Sequence, residues 1–168
     1  MKILLLSDTH SYLDDAILKH AAWADEIWHA GDWGQFKVYE TLSALKPVRG
    51  VFGNIDGQDI RSVCRVHNRF ICEGLDVWIT HIGGYPGRYN PDIRQAIQAR
   101  PPGLFICGHS HILKIIRDPK LNLLHMNPGA AGIHGFHKMR TMIRFEIEKG
   151  KILNPAVIEL GPRIAGEE

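Results

Sequence analysis

Five short apolar runs in this chain each stop abruptly at a residue able to hold a metal ion. Lys2-Ile3-Leu4-Leu5-Leu6 ends in Ser7-Asp8-Thr9-His10, and Glu26 to His29 ends in Gly31-Asp32. Val48 to Phe52 ends in Gly53-Asn54-Ile55-Asp56, and the run up to Thr80 ends in His81. Leu104 to Cys107 ends in Gly108-His109-Ser110-His111. Short continuous apolar runs read as strands covered on both faces. In the first third they alternate with helical segments, about Leu13 to Ala24 and Phe36 to Leu45, the latter stopping before Pro47. Strand–helix–strand alternation predicts right-handed α/β units on a parallel sheet. Ligands of such sheets bind beyond the carboxyl ends of the strands, where these polar endings fall.

The second half changes character. Arg69 to Cys72 and Val77 to Thr80 read as strands about a Glu73-Gly74 turn, and Asp92 to Ala99 reads as a helix before Pro101-Pro102. Leu113 to Arg117 with Asn122 to Met126, and Met139 to Glu148 with Ile152 to Leu160, read as hairpins, the second turning at Lys149-Gly150. A sandwich of two sheets with outer helices fits this order. Residues 1–168 read as one domain, with Gly161 to Glu168 expected to fray.

Composition narrows the function classes. Apolar residues make up 45% and charged residues 23% of 168 residues, as in ordinary globular protein. A formal net charge of +2, with no basic run, gives nucleic acid or an acidic membrane no obvious handle. Three cysteines without a C-x-x-C suggest neither a disulfide framework nor a thiolate cluster. The N-terminal run is too short for a signal peptide, so the expected compartment is the cytoplasm. Histidine is the unusual count, at ten.

In extended backbone, residues two apart project to the same side, so Asp8 with His10 and His109 with His111 can each aim a pair of ligands at one place. Carboxylate, imidazole and amide oxygen together suit first-row divalent ions. A single His-x-His is weak evidence of a metal, and Asp32 or Asn54 alone could be turn residues. The specific signal is five separate strand ends supplying ligands while the helices supply none. Two ions need a shared anion, and Asp32 is the natural bridge. Such a pair activates a bridging water as hydroxide and stabilises charge on phosphoryl oxygens.

Asp8-Thr9-His10, Gly31-Asp32, Gly53-Asn54-Ile55-Asp56, Thr80-His81 and Gly108-His109-Ser110-His111 resemble, in order, the five motifs of the calcineurin-like metallophosphoesterase superfamily. The chain length, and Asn127-Pro128-Gly129 after the histidine pair, resemble its small bacterial and archaeal phosphodiesterase branch. The resemblance implies a four-layer α/β/β/α sandwich of two mixed sheets with outer helices. It implies one ion on Asp8, His10, Asp32 and His111 and another on Asp32, Asn54, His81 and His109. It also implies manganese as the common metal, with iron, nickel or zinc as alternatives.

The chain departs from the pattern at Ile55, where many members carry a histidine that protonates the leaving group. Ser11 and Ile82 stand where glycine usually follows the motif histidine, and Ala130 stands where serine is common. Asn54 and His81 are the catalytic candidates; Asp56 is a candidate substitute proton donor, but a carboxylate beside two cations stays ionised, and it reads first as a turn residue or a support behind the ligands. His134, in the loop Gly132 to His137, and Arg88, in the loop Gly83 to Tyr89, are candidates to meet substrate phosphate. Trp33 could wall the pocket, and His29 reads as structural or as a support behind the ligands. The expectation is hydrolysis of a small phosphodiester by a metal-bridging hydroxide, without a membrane and without support for nucleic acid as substrate. The alternative is a scaffold or phosphate-ligand binding protein on the same fold, as one retromer subunit illustrates.

Overall fold

A computed structural model describes residues 1–164. In chain order the elements are β1 (Lys2–Leu6), α1 (Asp15–Trp23), β2 (Glu26–His29), α2 (Phe36–Leu45), β3 (Val48–Gly50), α3 (Gln58–Val63), β4 (His67–Cys72) and β5 (Leu75–Thr80). There follow β6 (Gly84–Tyr85), β7 (Arg88–Tyr89), α4 (Pro91–Ala99), β8 (Leu104–Ile106), β9 (Leu113–Asp118), β10 (Leu123–Pro128), β11 (Met139–Glu148) and β12 (Lys151–Pro162). One sheet runs β12-β11-β1-β2-β3 and the other β4-β5-β8-β10-β9. Both are mixed: β1 pairs parallel with β2 and antiparallel with β11, and β8 pairs parallel with β5 and β10 while β4–β5 and β9–β10 are antiparallel.

Side-chain alternation builds the layers. Ile3 and Leu5 of β1 meet Val77 and Ile79 of β5 and Leu104 and Ile106 of β8 between the sheets. Leu4 and Leu6 point the other way, against Ile17 and Ala21 of α1, Val38 and Leu42 of α2 and Ile60 of α3. On the opposite flank Trp78 and Phe105 pack under Ile93 and Ile97 of α4. The result is the four-layer α/β/β/α sandwich the motifs imply. The helices start where the chemistry allows. Asp14 caps α1 by accepting from the Ile17 N–H, and Asn90 caps α4 ahead of Pro91 by accepting from the Asp92 N–H.

Some expectations are corrected. β3 stops at Gly50, because Phe52 N–H turns away to donate to the Arg65 carbonyl. The helix α3 and the small β6–β7 hairpin carry too few periodic residues to be read from sequence. Gly161 and Pro162, expected to fray, pair with Arg140 and Met139 at the end of β12; residues 165–168 of that expected tail lie outside the described residues. No described helix is long and apolar enough to cross a membrane.

One buried group should make stability depend on acid. His125 of β10 is 1% exposed beside Phe105, and its Nδ1 has no partner among the described residues. Burial, aided by the Lys114 charge, pushes its pKa from 6.5 down to about 4. The unfolded chain therefore takes up this proton before the folded one. The contribution of neutral His125 is whole above about pH 6.5 and is lost as the pH falls towards 4, on the order of 3 kcal/mol. His125→Leu should flatten this limb, which urea unfolding at pH 7 and pH 4.5 would measure; an unchanged difference between the two would refute the assignment.

Candidate metal centre

The ligand candidates converge where the carboxyl ends of β1, β2, β5 and β8 meet. Asp8, His10 and His111 place ligand atoms within 4.8 Å of one another, and so do Asp32, His81 and His109. Asp32 Oδ2 lies between the groups, 3.5 Å from His10 Nε2 and 3.3 Å from His81 Nε2. Asn54 Oδ1 joins the second group, 3.1 Å from His81 Nε2 and 3.0 Å from His109 Nδ1. Asp8 Oδ1 lies 3.2 Å from His111 Nε2. All seven candidate ligands are thus brought together.

Each carboxylate has one oxygen held by the protein and one turned to the cluster. Asp8 Oδ2 accepts from the Ser7 hydroxyl at 2.6 Å and from the His109 N–H at 3.1 Å. Asp8 Oδ1 is buried without a hydrogen-bond partner, as is His10 Nε2. Asp32 Oδ1 accepts from the Ile55 N–H at 3.1 Å. A buried orphan oxygen beside a buried orphan nitrogen is costly in a metal-free protein. A cation between them would satisfy both, so the donor set fits divalent ions.

The imidazoles are oriented in the same manner. His81 Nδ1–H donates to the Ala30 carbonyl at 2.7 Å, which turns Nε2 to the cluster. Burial works to lower the His81 pKa, but the hydrogen bond and charges of Asp32 and Asp8 outweigh it and hold the pKa above the ordinary value. Burial likewise works to raise Asp32, and the contacts with His81 and Ile55 N–H outweigh that and hold it below the usual carboxylate value. His10 goes the other way: burial overcomes the neighbouring carboxylates and lowers it, favouring the neutral form that binds metal.

The backbone differs from the expected extended strand ends. Asp8, His10, Ser11, Asp32, His109 and His111 all have positive φ, six of the ten such non-glycine residues described. The paired ligands converge through left-handed turns, each costing roughly 1–3 kcal/mol. The turns are held by their neighbours. His10 N–H donates to the Asp32 carbonyl and Ser11 N–H to the Trp33 carbonyl. His29 accepts from the Gly31 N–H, contacts the Thr9 hydroxyl at 3.0 Å and stacks on Trp33 at 3.7 Å. Trp33 itself is fully buried, with Nε1–H donating to the Val51 carbonyl, so it supports the turns from the core and does not wall the pocket.

Asp56 is not brought to the cluster. It is buried, and its two oxygens accept from the Gly34 and Gly53 N–H groups at 3.0 and 2.7 Å. It fastens the Asn54 turn to the Asp32 turn, the turn-residue reading of Asp56, and is not placed as the substitute proton donor. His134 stacks on His10 at 4.7 Å at the rim of the cluster. Arg88 stands further off, on β7, facing a neighbouring cavity. Sequence reasoning missed Ser7, Ser110 and the supporting role of Asn127, whose amide donates to the Gly108 carbonyl at 3.0 Å and to the Ser110 hydroxyl at 3.1 Å. Asn127-Pro128-Gly129 was the signal for the last.

Close approach also dictates composition here. A Cβ on Gly53 would strike the Asp32 carboxylate and crowd that residue's backbone nitrogen. Gly53→Ala should therefore displace Asp32 and weaken metal binding on the order of 10–100-fold. Titration of the metal-stripped protein would measure this, and unaltered affinity would show that the turn yields freely.

The cluster opens into a cavity of about 540 Å³, rimmed by exposed Ile55, Ile112 and Phe136 as well as His134. A second cavity of about 610 Å³ adjoins it across His109 and Ser110.

Comparison with curated proteins finds no match. Wild-type Vps29 of Entamoeba histolytica, solved with zinc, superposes with a TM-score of 0.72 at 15% identity over 95% of this chain and 99% of that one. A structurally and functionally characterised archaeal phosphodiesterase gives 0.69 at 20% identity over 94% and 100%. A Streptococcus pneumoniae protein described as a predicted phosphoesterase gives 0.61 at 16% identity over 94% and 97%. At these identities the likeness is one of fold. A family model of the calcineurin-like phosphoesterase superfamily domain matches residues 1–150, and the chain belongs to that superfamily.

Proposed function

We propose that this protein hydrolyses phosphodiesters with two divalent metal ions, manganese foremost and iron, nickel or zinc as alternatives. The observation that carries the reading is Asp32 Oδ2 set between two ligand groups and lining the cavity into which the cluster opens. Asp8, His10 and His111 would hold one ion, Asn54, His81 and His109 the other, with Asp32 shared. When bound, such ions supply Lewis acidity and a nucleophile at neutral pH.

The chain's own residues prepare that chemistry. Ser7, Ile55 N–H and the Ala30 carbonyl fix the faces that Asp8, Asp32 and His81 present, so little reorganisation is left for the reaction. Asn54 and His81, at the wall of the cluster, are the proposed catalytic pair, acting through the ion they would hold to steady charge on the phosphoryl group. His134, stacked on His10, is placed to meet a phosphoryl oxygen. Cavities on both sides of His109 and Ser110 leave room for an organic substituent on each side of phosphorus, which favours a diester over a monoester. The apolar rim of Ile55, Ile112 and Phe136 suits one of these substituents.

The test is activity of metal-stripped protein on bis-para-nitrophenyl phosphate and on the matching monoester, with manganese, nickel, zinc or magnesium restored. Diester cleavage that returns with metal, exceeds monoester cleavage and is lost in His109→Ala supports the reading. Two tightly bound ions per chain without turnover of either ester would overturn it in favour of a phosphate-binding or scaffold role.

A further inference from the structure

We infer that the cavity beside the metal centre is a subsite for a second anionic group, a phosphate above all, carried by the same ligand. This deepens the phosphodiesterase reading and rests on it for the position of the first phosphate. Arg88 of β7 and Arg94 of α4 both line this cavity, which shares His109 and Ser110 with the metal cluster. No aspartate or glutamate lines it, and neither guanidinium enters an ion pair among the described residues. Arg94 makes one long contact, 3.4 Å, to the Tyr89 carbonyl. A third cation stands close by, with Lys114 Nζ 4.2 Å from the centre of the Tyr85 ring.

The wall is built rather than loose. Gly84 has φ +74°, and a Cβ there would strike the Arg88 carbonyl, so the hairpin closes tightly at this point. Tyr89, next to Arg88, is buried and donates its hydroxyl to Asp118 Oδ2 at 2.6 Å. Alternation then turns Arg88 to the opposite face of the strand. Asn90 N–H donates to the Gly83 carbonyl at 3.0 Å, tying the hairpin to the His81 turn. A diester phosphate carries one negative charge, which two ions and the cluster histidines already oppose. Two further guanidiniums, whose planar forks match phosphate oxygens, are in excess of that need. The ligand class is therefore a phosphoester bearing another phosphate, as in a nucleoside bisphosphate or a phosphorylated dinucleotide.

The experiment compares adenosine 3′,5′-bisphosphate with adenosine 5′-monophosphate on the manganese-loaded protein. Each is titrated calorimetrically and assayed as an inhibitor of bis-para-nitrophenyl phosphate cleavage. The bisphosphate should bind roughly tenfold tighter or more. That advantage should fall to about onefold in R88A/R94A and survive in part in R88K/R94K. Equal binding of the two nucleotides, or an advantage that persists in R88A/R94A, overturns the subsite. The binding readout does not need turnover. An advantage abolished by R88A/R94A in a protein that cleaves nothing would leave the subsite standing while the hydrolase reading falls.

Discussion

Asp32→Ala should lower metal-restored cleavage of bis-para-nitrophenyl phosphate by roughly a thousandfold or more. Metal assistance supplies several kcal/mol of transition-state stabilisation, and each 1.36 kcal/mol is a factor of ten. Asp32 Oδ2 lies within 3.5 Å of histidines from both ligand groups, so on the two-ion proposal its loss would uncouple the ions rather than weaken one. Metal content per chain should fall in parallel. Asp32 is 3% exposed, and alanine also leaves the Ile55 N–H without its acceptor and removes the carboxylate beside His81 Nε2. Asp32→Asn, which keeps shape and removes charge, separates loss of chemistry from loss of fold. An Asp32→Asn protein that folds, binds two ions and turns over normally would remove Asp32 from the centre of the mechanism.

Ile55→His should have the opposite sign, and its size should depend on the substrate. Ile55 lies on the rim of the metal cavity, is 46% exposed, and contributes its backbone N–H to Asp32 Oδ1 whatever its side chain. A histidine there adds a proton donor without disturbing the core. General acid catalysis is worth about 10²–10⁴ when the leaving group is poor. A phenyl or alkyl phosphodiester should gain on the order of a hundredfold in kcat, while a para-nitrophenyl diester, which leaves unaided, should gain little. A paired series of leaving groups of rising pKa measures this. If wild type and variant give parallel lines against leaving-group pKa, protonation is not what Ile55 withholds.

How much of this was legible in the sequence divides along physical lines. The strands and their faces were, because apolar periodicity is a direct imprint of burial: Ile3 and Leu5 go one way, Leu4 and Leu6 the other. The convergence of the candidate ligands was legible because each follows a strand end, where the sheet itself gathers side chains. The way the ligands are held was not. The left-handed φ of Asp8, His10, Asp32 and His109 goes with hydrogen bonds between turns far apart in sequence, and no local propensity signals it. Asp56 looked like spare chemistry beside Asn54, yet Gly34, twenty-two residues away, claims one of its oxygens. Trp33 beside a ligand looked like a pocket wall, but its ring stacks under His29. Arg88 could be named from its loop, while the cavity it shares with Arg94 depends on where β7 and α4 dock.

The placement of β1 governs when the site can exist at all. β1 carries Asp8 and His10 at its end, and it pairs on one side with β2 and on the other with β11, Lys2 opposite Glu146 and Leu5 opposite Ile143. At synthesis rates of 5–20 residues per second, roughly 7 to 28 s separate the first residue from the start of β11. During that interval β1 is an open, strongly apolar edge, exposed to pairing with other chains. Contacts of such sequence separation also slow folding once the chain is complete. The metal centre should therefore be among the last parts of the molecule to form, and loading with ions should follow release of the chain rather than guide its folding.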